Sequence, residues 1–147
     1  MRILFCHQIF PGQFTHIAAR LASIVGNQVV SISQPQAKGL AYVQNLVYKP
    51  ARLITQNIHH YIAGLESAVL NGQATAKVMD ALKQKGYTPD VVIGHAGWGE
   101  TLYVKDVFPK TKLINYFEFF IMAMGQILIL TPNFRIAWMI CCEFAPK

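Results

Sequence analysis

Pro89 to Leu102 reads PDVVIGHAGWGETL, and its parts follow one another in a revealing order. Val91, Val92 and Ile93 form a short apolar run bounded by a Pro-Asp pair, the pattern of a strand buried on both faces. His95 follows at once, then a tight Gly97-Trp98-Gly99 turn, then Glu100 and Thr101, which read as the opening of a helix. A strand that ends in a turn and feeds a helix belongs to an α/β fold. In open α/β sheets, ligands sit at the carboxyl ends of the strands. The stretch therefore places an imidazole, an indole and a carboxylate on the rim of a cleft.

The rest of the chain repeats this alternation. Arg2 to Cys6 is a second apolar run, His7 to Gly12 a loop with a Pro11-Gly12 turn signal, and residues 13–25 carry Phe14, Ile17, Ala18, Leu21 and Ile24 at helical spacing, closed by Gly26. Gln28 to Ser33 reads as a strand and Val43 to Tyr48 as another. From Thr55 to Lys85, Ile58, Ile62, Leu65, Val69, Ala76, Met79 and Leu82 hold a helical stripe, long or kinked, with Lys83 and Lys85 near its carbonyl-rich end. Trp98 to Val107 predicts a short helix ended by Pro109, and Lys112 to Tyr116 a last strand. Strands alternating with helices predict a Rossmann-like, three-layer α/β domain with a mostly parallel sheet.

Composition narrows the possibilities. With 53% apolar and 14% charged residues, the chain is not disordered by composition. The net charge of +6 is spread along the chain, so no basic stripe for nucleic acid is evident. A diffuse positive field suits a phosphate-bearing substrate or a membrane surface equally. Cys6, Cys141 and Cys142 give neither ligand spacing nor an even framework, and no leader-like run follows Met1, so the expected compartment is the cytoplasm. His59 and His60, adjacent on a helix, point apart and make a poor metal pair, and no metal site or cofactor is expected.

Four separated stretches occur in order: MRILFCHQIFPGQF at the start, LESAVLNGQA from Leu65, PDVVIGHAGWGETL, and LINYFEFF ending at Phe120. In this the chain resembles the amino-terminal half of the family 4 glycosyltransferases, the retaining group with two Rossmann-like domains and an active site between them. The resemblance covers residues 1–120. It implies an acceptor-side domain of an enzyme that moves a sugar from a nucleotide-sugar donor to a carbohydrate or lipid-linked acceptor, with the donor held mainly by a second half. This chain would then be truncated and inactive alone. Two other readings compete: a standalone nucleotide-binding α/β module, which would want a richer phosphate loop than Pro11-Gly12-Gln13, and a module attached to the inner face of a membrane.

Several residues could carry chemistry under this reading. Gly12 and Gln13 sit where backbone N–H groups at a helix start could face a donor diphosphate, although a lone glycine is no dinucleotide fingerprint and can equally be a plain turn residue. His95 could orient a hydroxyl or a departing diphosphate, or simply cap the next helix. Trp98, between Gly97 and Gly99, could stack on a sugar or pack; Glu100 could bind sugar hydroxyls or complement a helix dipole. Glu118, set between Phe117 and Phe119, is a carboxylate among aromatics that wants a ligand or an ion-pair partner. His95 and Glu118 are the catalytic candidates. Cys6 reads as a small core residue.

Residues 121–147 differ in character, with Arg135, Glu143 and Lys147 as their only charges and no clean periodicity. As a membrane segment they are interrupted by Gln126, Pro132, Asn133 and Arg135, and an Arg at the bilayer centre costs about 2.5 to 3.5 kcal/mol on insertion scales. Read one base back, their codons permit a polar, acidic continuation: Trp138-Met139 and Met139-Ile140 each force an Asp, and Cys141-Cys142 a Leu. A one-base frameshift near codon 120 accounts for this; a divergent terminus is the competing explanation.

Overall fold

The computed structural model describes residues 1–117 and, beyond them, the backbone of three short strands. It separates into two units, residues 1–116 and 117–147. In the first unit β1 (Arg2–Cys6), β2 (Gln28–Ser33), β3 (Gln44–Val47), β4 (Val91–His95) and β5 (Lys112–Tyr116) form one sheet in the order β3-β2-β1-β4-β5, with every pair parallel. The helices are α1 (Thr15–Ala22), α2 (His60–Gln84) and the single turn α3 (Val104–Val107). This is the Rossmann-like α/β architecture that the alternating pattern predicts.

Alternation along the central strands makes two cores. On β1, Ile3 and Phe5 face one way and pack with Phe10, Phe14 and Ala18 from the α1 side, together with Val29, Val91 and Ile93. Leu4 and Cys6 face the other way, with Val30, Ile32 and Val92, against Ala74, Met79 and Leu82 of α2 and Val104 and Phe108 beside α3. A strand covered on both faces must be apolar throughout, which is why β1 and β4 read as continuous runs rather than alternating ones.

The helices depart from their sequence-predicted bounds for local reasons. Residues 12–14 form a 3-10 turn, and α1 then stops at Ala22; a turn through Gly26, at φ 89°, leads into β2. The long stripe starts at His60 rather than Thr55. Asn57 takes a positive φ of 62°, and His59 caps the helix by accepting a hydrogen bond from Tyr61 N, 3.3 Å away. From there α2 runs without a break through Gly64 and Gly72. The preceding loop is pinned to it by Glu66, which accepts from Arg52 Nη2 (2.7 Å), Thr55 N (2.8 Å) and Thr55 Oγ1 (2.7 Å). Those bonds, the backbone amide of Thr55 foremost, lower the Glu66 carboxyl to about 2.

No helix spans 98–107. A 3-10 turn covers Ala96–Trp98, Gly99 adopts the left-handed conformation at φ 96°, and turns continue to α3. Gly99 lies so close to α2 that a Cβ there would collide with the backbone of Ala68, while Gly72 answers from α2, its missing Cβ leaving room for Gly99 O. This contact, together with a bond from Asn71 Nδ2 to Trp98 O (3.1 Å), diverts the chain from a helical path.

The second unit holds a three-stranded antiparallel sheet, β6 (Phe119–Ile121), β7 (Ile127–Leu130) and β8 (Ile136–Met139), in the order β6-β7-β8. Glu118 lies outside the described residues, as do residues 122–126, 131–135 and 140–147. Among the described residues no helix is long and apolar enough to cross a membrane.

The two kinds of glycine make a paired prediction. Gly99→Ala must move both a left-handed backbone and the Ala68 carbonyl, so we expect a loss of about 2 kcal/mol or more in denaturant unfolding. Gly64→Ala, in α2 with open space around its Cβ, should instead gain about 0.5 to 1 kcal/mol from helix propensity.

Candidate functional site

Register brings the polar strand ends together. Cys6 of β1 lies beside Gly94 of β4, and His95 beside Tyr116 of β5, so His7, His95 and Tyr116 stand together where three adjacent strands end. Their rings touch in series. His7 and His95 have centroids 5.9 Å apart, His95 and Tyr116 6.0 Å, and Trp98 lies nearly parallel to His95 at 6.3 Å. Phe14 closes the group from the start of α1, edge-on to His7 at 5.6 Å and to Tyr116 at 6.0 Å.

Both imidazoles are oriented by the same device. His7 Nδ1 accepts from Ile9 N (3.2 Å), and His95 Nδ1 accepts from Gly97 N (3.0 Å), each two residues downstream. A neutral ring that accepts at Nδ1 carries its proton on Nε2, and Nε2 of His95 is itself buried. The alternative expectation for His95, a cap on the following turn, is thus met by Nδ1. Both rings are buried, whereas Trp98 is 52% exposed and Tyr116 43%.

Gly12 is built into the same edge. Its φ is 45°, and a Cβ there would lie 2.7 Å from His7 Cε1, so the glycine is what allows the β1 loop to close over that ring. Gln13, exposed, follows in the 3-10 turn at the head of α1, whose cap residue Phe14 makes no side-chain bond to the first backbone N–H groups. Of the expected site residues, Gly12, Gln13, His95, Gly97 and Trp98 therefore lie on the two loops of β1 and β4, with Gly99 behind them against α2. Glu118 lies outside the described residues.

Glu100 departs from its expected place on the rim. It is fully buried below, where the left-handed Gly99 turns it inward, and Tyr48, itself 1% exposed at the end of β3, donates to its Oε1 at 2.5 Å. Gln34 Nε2 in turn donates to Tyr48 Oη (3.2 Å), and Gln36 Nε2 to Gln34 Oε1 (2.5 Å), so a chain of bonds runs from the surface to the buried acid. Oε2 of Glu100 meets no donor at bonding geometry among the described residues. Burial raises the carboxyl above its ordinary value of 4.5, against smaller opposing effects from the Tyr48 hydroxyl, its own backbone amide, Gln8 and a positive His95. Burial also pushes the Cys6 thiol up, reinforced by Glu100, which leaves Cys6 a core residue rather than a nucleophile.

His7, Tyr116 and Tyr48 were not singled out in the sequence. The signal for the first two was present: once strands β1, β4 and β5 are set side by side, the residues that end them must be neighbours. Tyr48 needed the path of the 98–103 turn. The larger cavities lie elsewhere, one of about 430 Å³ at the amino-terminal strand ends among Met1, Pro89, Asp90 and Lys112, another of about 750 Å³ between α2 and α3. Strand-end chemistry rather than cavity size defines the site.

The sheet of parallel strands thus carries two histidines, a glycine loop and an exposed indole at its carboxyl ends. A family model described as glycosyl transferase family 4 group matches residues 25–139, and the chain belongs to that family. No curated protein matches it.

The Tyr48 bond sets a prediction. Tyr48→Phe removes the donor from a buried acid and should cost about 1 to 3 kcal/mol in denaturant unfolding. Because Glu100 has a raised folded-state value, the folded chain holds its proton longer than the unfolded chain. Its contribution to stability is therefore full below the ordinary carboxyl value and declines as pH rises through the interval above it. Measured by denaturation at several pH values, Glu100→Gln should lose that decline.

Proposed function

We propose that this chain supplies the acceptor-side domain of a retaining glycosyl transfer, in which a sugar passes from a nucleotide-sugar donor to a carbohydrate or lipid-linked acceptor. The observation that carries the reading is the convergence of Gly12, His95 and Trp98 at one strand edge. Each suits one need of the reaction. The backbone at Gly12 and Gln13, at the head of α1, suits the diphosphate, where the positive end of the helix favours negative charge. The imidazole of His95 suits a sugar or acceptor hydroxyl, as a positioning group rather than a base. The half-exposed face of Trp98 suits the apolar side of a sugar ring. Glu118 stays in this proposal as a second catalytic candidate.

The test is equilibrium binding of uridine and guanosine diphosphates and their glucose and mannose conjugates to the full chain, followed by calorimetry. His95→Ala and Trp98→Ala, the first removing a donor and the second a platform, should each weaken the tightest ligand by about ten- to a hundredfold, the loss of 1.5 to 3 kcal/mol. Unchanged affinity in both variants, with their unfolding curves intact, would remove the rim from the account.

A second reading, attachment to a membrane surface, rests on a different place. Leu53 (89% exposed), Tyr61 (81%) and Leu65 (64%) stand out on the pinned loop and the first turns of α2, with Ile54 and Ile62. If that patch holds the chain on lipid, Leu53→Ser with Leu65→Ser should abolish flotation with vesicles rich in anionic lipid; flotation that persists in the double variant argues against it.

A further inference from the structure

The buried acid below the rim has no role in the reading above. Glu100 is 0% exposed, its Oε1 accepts from Tyr48, and its Oε2 meets no donor at bonding geometry among the described residues; Gln8 and its own backbone amide favour the charged form by less than burial opposes it. The one ion pair among the described residues, Arg52 with Glu66, lies elsewhere. A carboxylate so placed would be a buried charge with no ion-pair partner among the described residues, an arrangement that costs several kcal/mol and is relieved when the group stays protonated.

The elements packed around it offer little to offset a charge. β1 presents the Cys6 thiol and the end of β3 the Tyr48 hydroxyl, neither of them cationic; the hydroxyl's hydrogen bond favours the ionised acid by less than burial disfavours it. From α2 come Asn71, committed to Trp98 O, and Gly72, both uncharged. Only His95, at the end of β4, can turn positive toward it, with the uncharged Gln8 alongside. His95 is also the ring that the rim needs.

We propose that Glu100 is a positioning residue that works as an un-ionised acid: it braces Tyr48 against the β4 loop beneath the rim and keeps negative charge away from the edge where an anionic ligand would sit. Two consequences follow from its place. Protonated, the acid makes no ion pair with His95 and itself adds no negative charge beneath Gly12. Ionised, it adds a charge under the same edge and offers His95 a competing partner. The second consequence rests on the proposed diphosphate binding, whereas the brace itself does not.

The experiment has two arms on the full chain. In the first, without ligand, the side-chain carboxyl carbons of glutamate are labelled and followed by NMR against pH, with Glu100→Gln identifying the Glu100 signal. The expected result is a signal that keeps the protonated shift after the other glutamates have ionised, and whose later transition is shared by the ring of His95. A Glu100 signal that titrates with the exposed carboxyls, or a His95 ring that ignores its transition, overturns the proposal. In the second arm, uridine diphosphate binding is measured across that transition. Wild type should lose about tenfold in affinity, the effect of one added charge close by, while Glu100→Gln should bind throughout without that step. An identical step in both proteins overturns the charge-exclusion role. If uridine diphosphate does not bind at all, the diphosphate reading fails, and the first arm still decides the state of Glu100.

Discussion

Both faces of β1 and β4 are buried, and this constraint governs everything that the molecule can do. Neither strand can offer a polar side chain to a ligand along its length, because Ile3, Phe5, Val91 and Ile93 belong to one core and Leu4, Cys6 and Val92 to the other. Chemistry has to begin where the strands end. The parallel arrangement then brings those ends to one edge, so that His7, His95 and Tyr116 become neighbours without any local sequence relation between them. The loops that follow inherit the same edge, one shaped by Gly12 over the His7 ring and the other by Gly97 beneath the His95 ring.

The fold was legible for the same reason. Strands buried on both faces are written as unbroken apolar runs, and their alternation with helical stripes leaves few topologies open. What escaped the sequence were features set by contacts distant in the chain. The stretch after Trp98 has the composition of a helix, yet Gly99 meets Ala68 some thirty positions earlier, and that close approach replaces the helix with turns. Glu100 suffered the same misplacement. An acid two residues past a tryptophan, at a strand end, reads as a rim ligand; only the turn reveals that it points inward to Tyr48. His95 was legible as a site residue because it follows its strand directly, and His7 was hidden only because its loop carried other signals.

Membership of the glycosyl transferase family 4 group fits a domain of this shape, and the chemistry at the edge is consistent with what sugar transfer requires. The design is economical in charge. The described rim consists of two imidazoles, an indole and a phenol, and Glu100 is sequestered below with a raised affinity for its proton. In the proposed reading, such an edge receives a phosphate-bearing ligand and orients hydroxyls with rings fixed by their own backbone bonds.

The most direct test of this account is a chemical-shift map of the full chain titrated with a nucleotide sugar that binds it. Perturbations concentrated on Gly12, Gln13, His95 and Trp98, with the amino-terminal strand ends around Pro89 and Lys112 unmoved, are the predicted result. A map centred on that opposite edge, or on the cavity between α2 and α3, would contradict the claim that the carboxyl ends of β1 and β4 make the functional site.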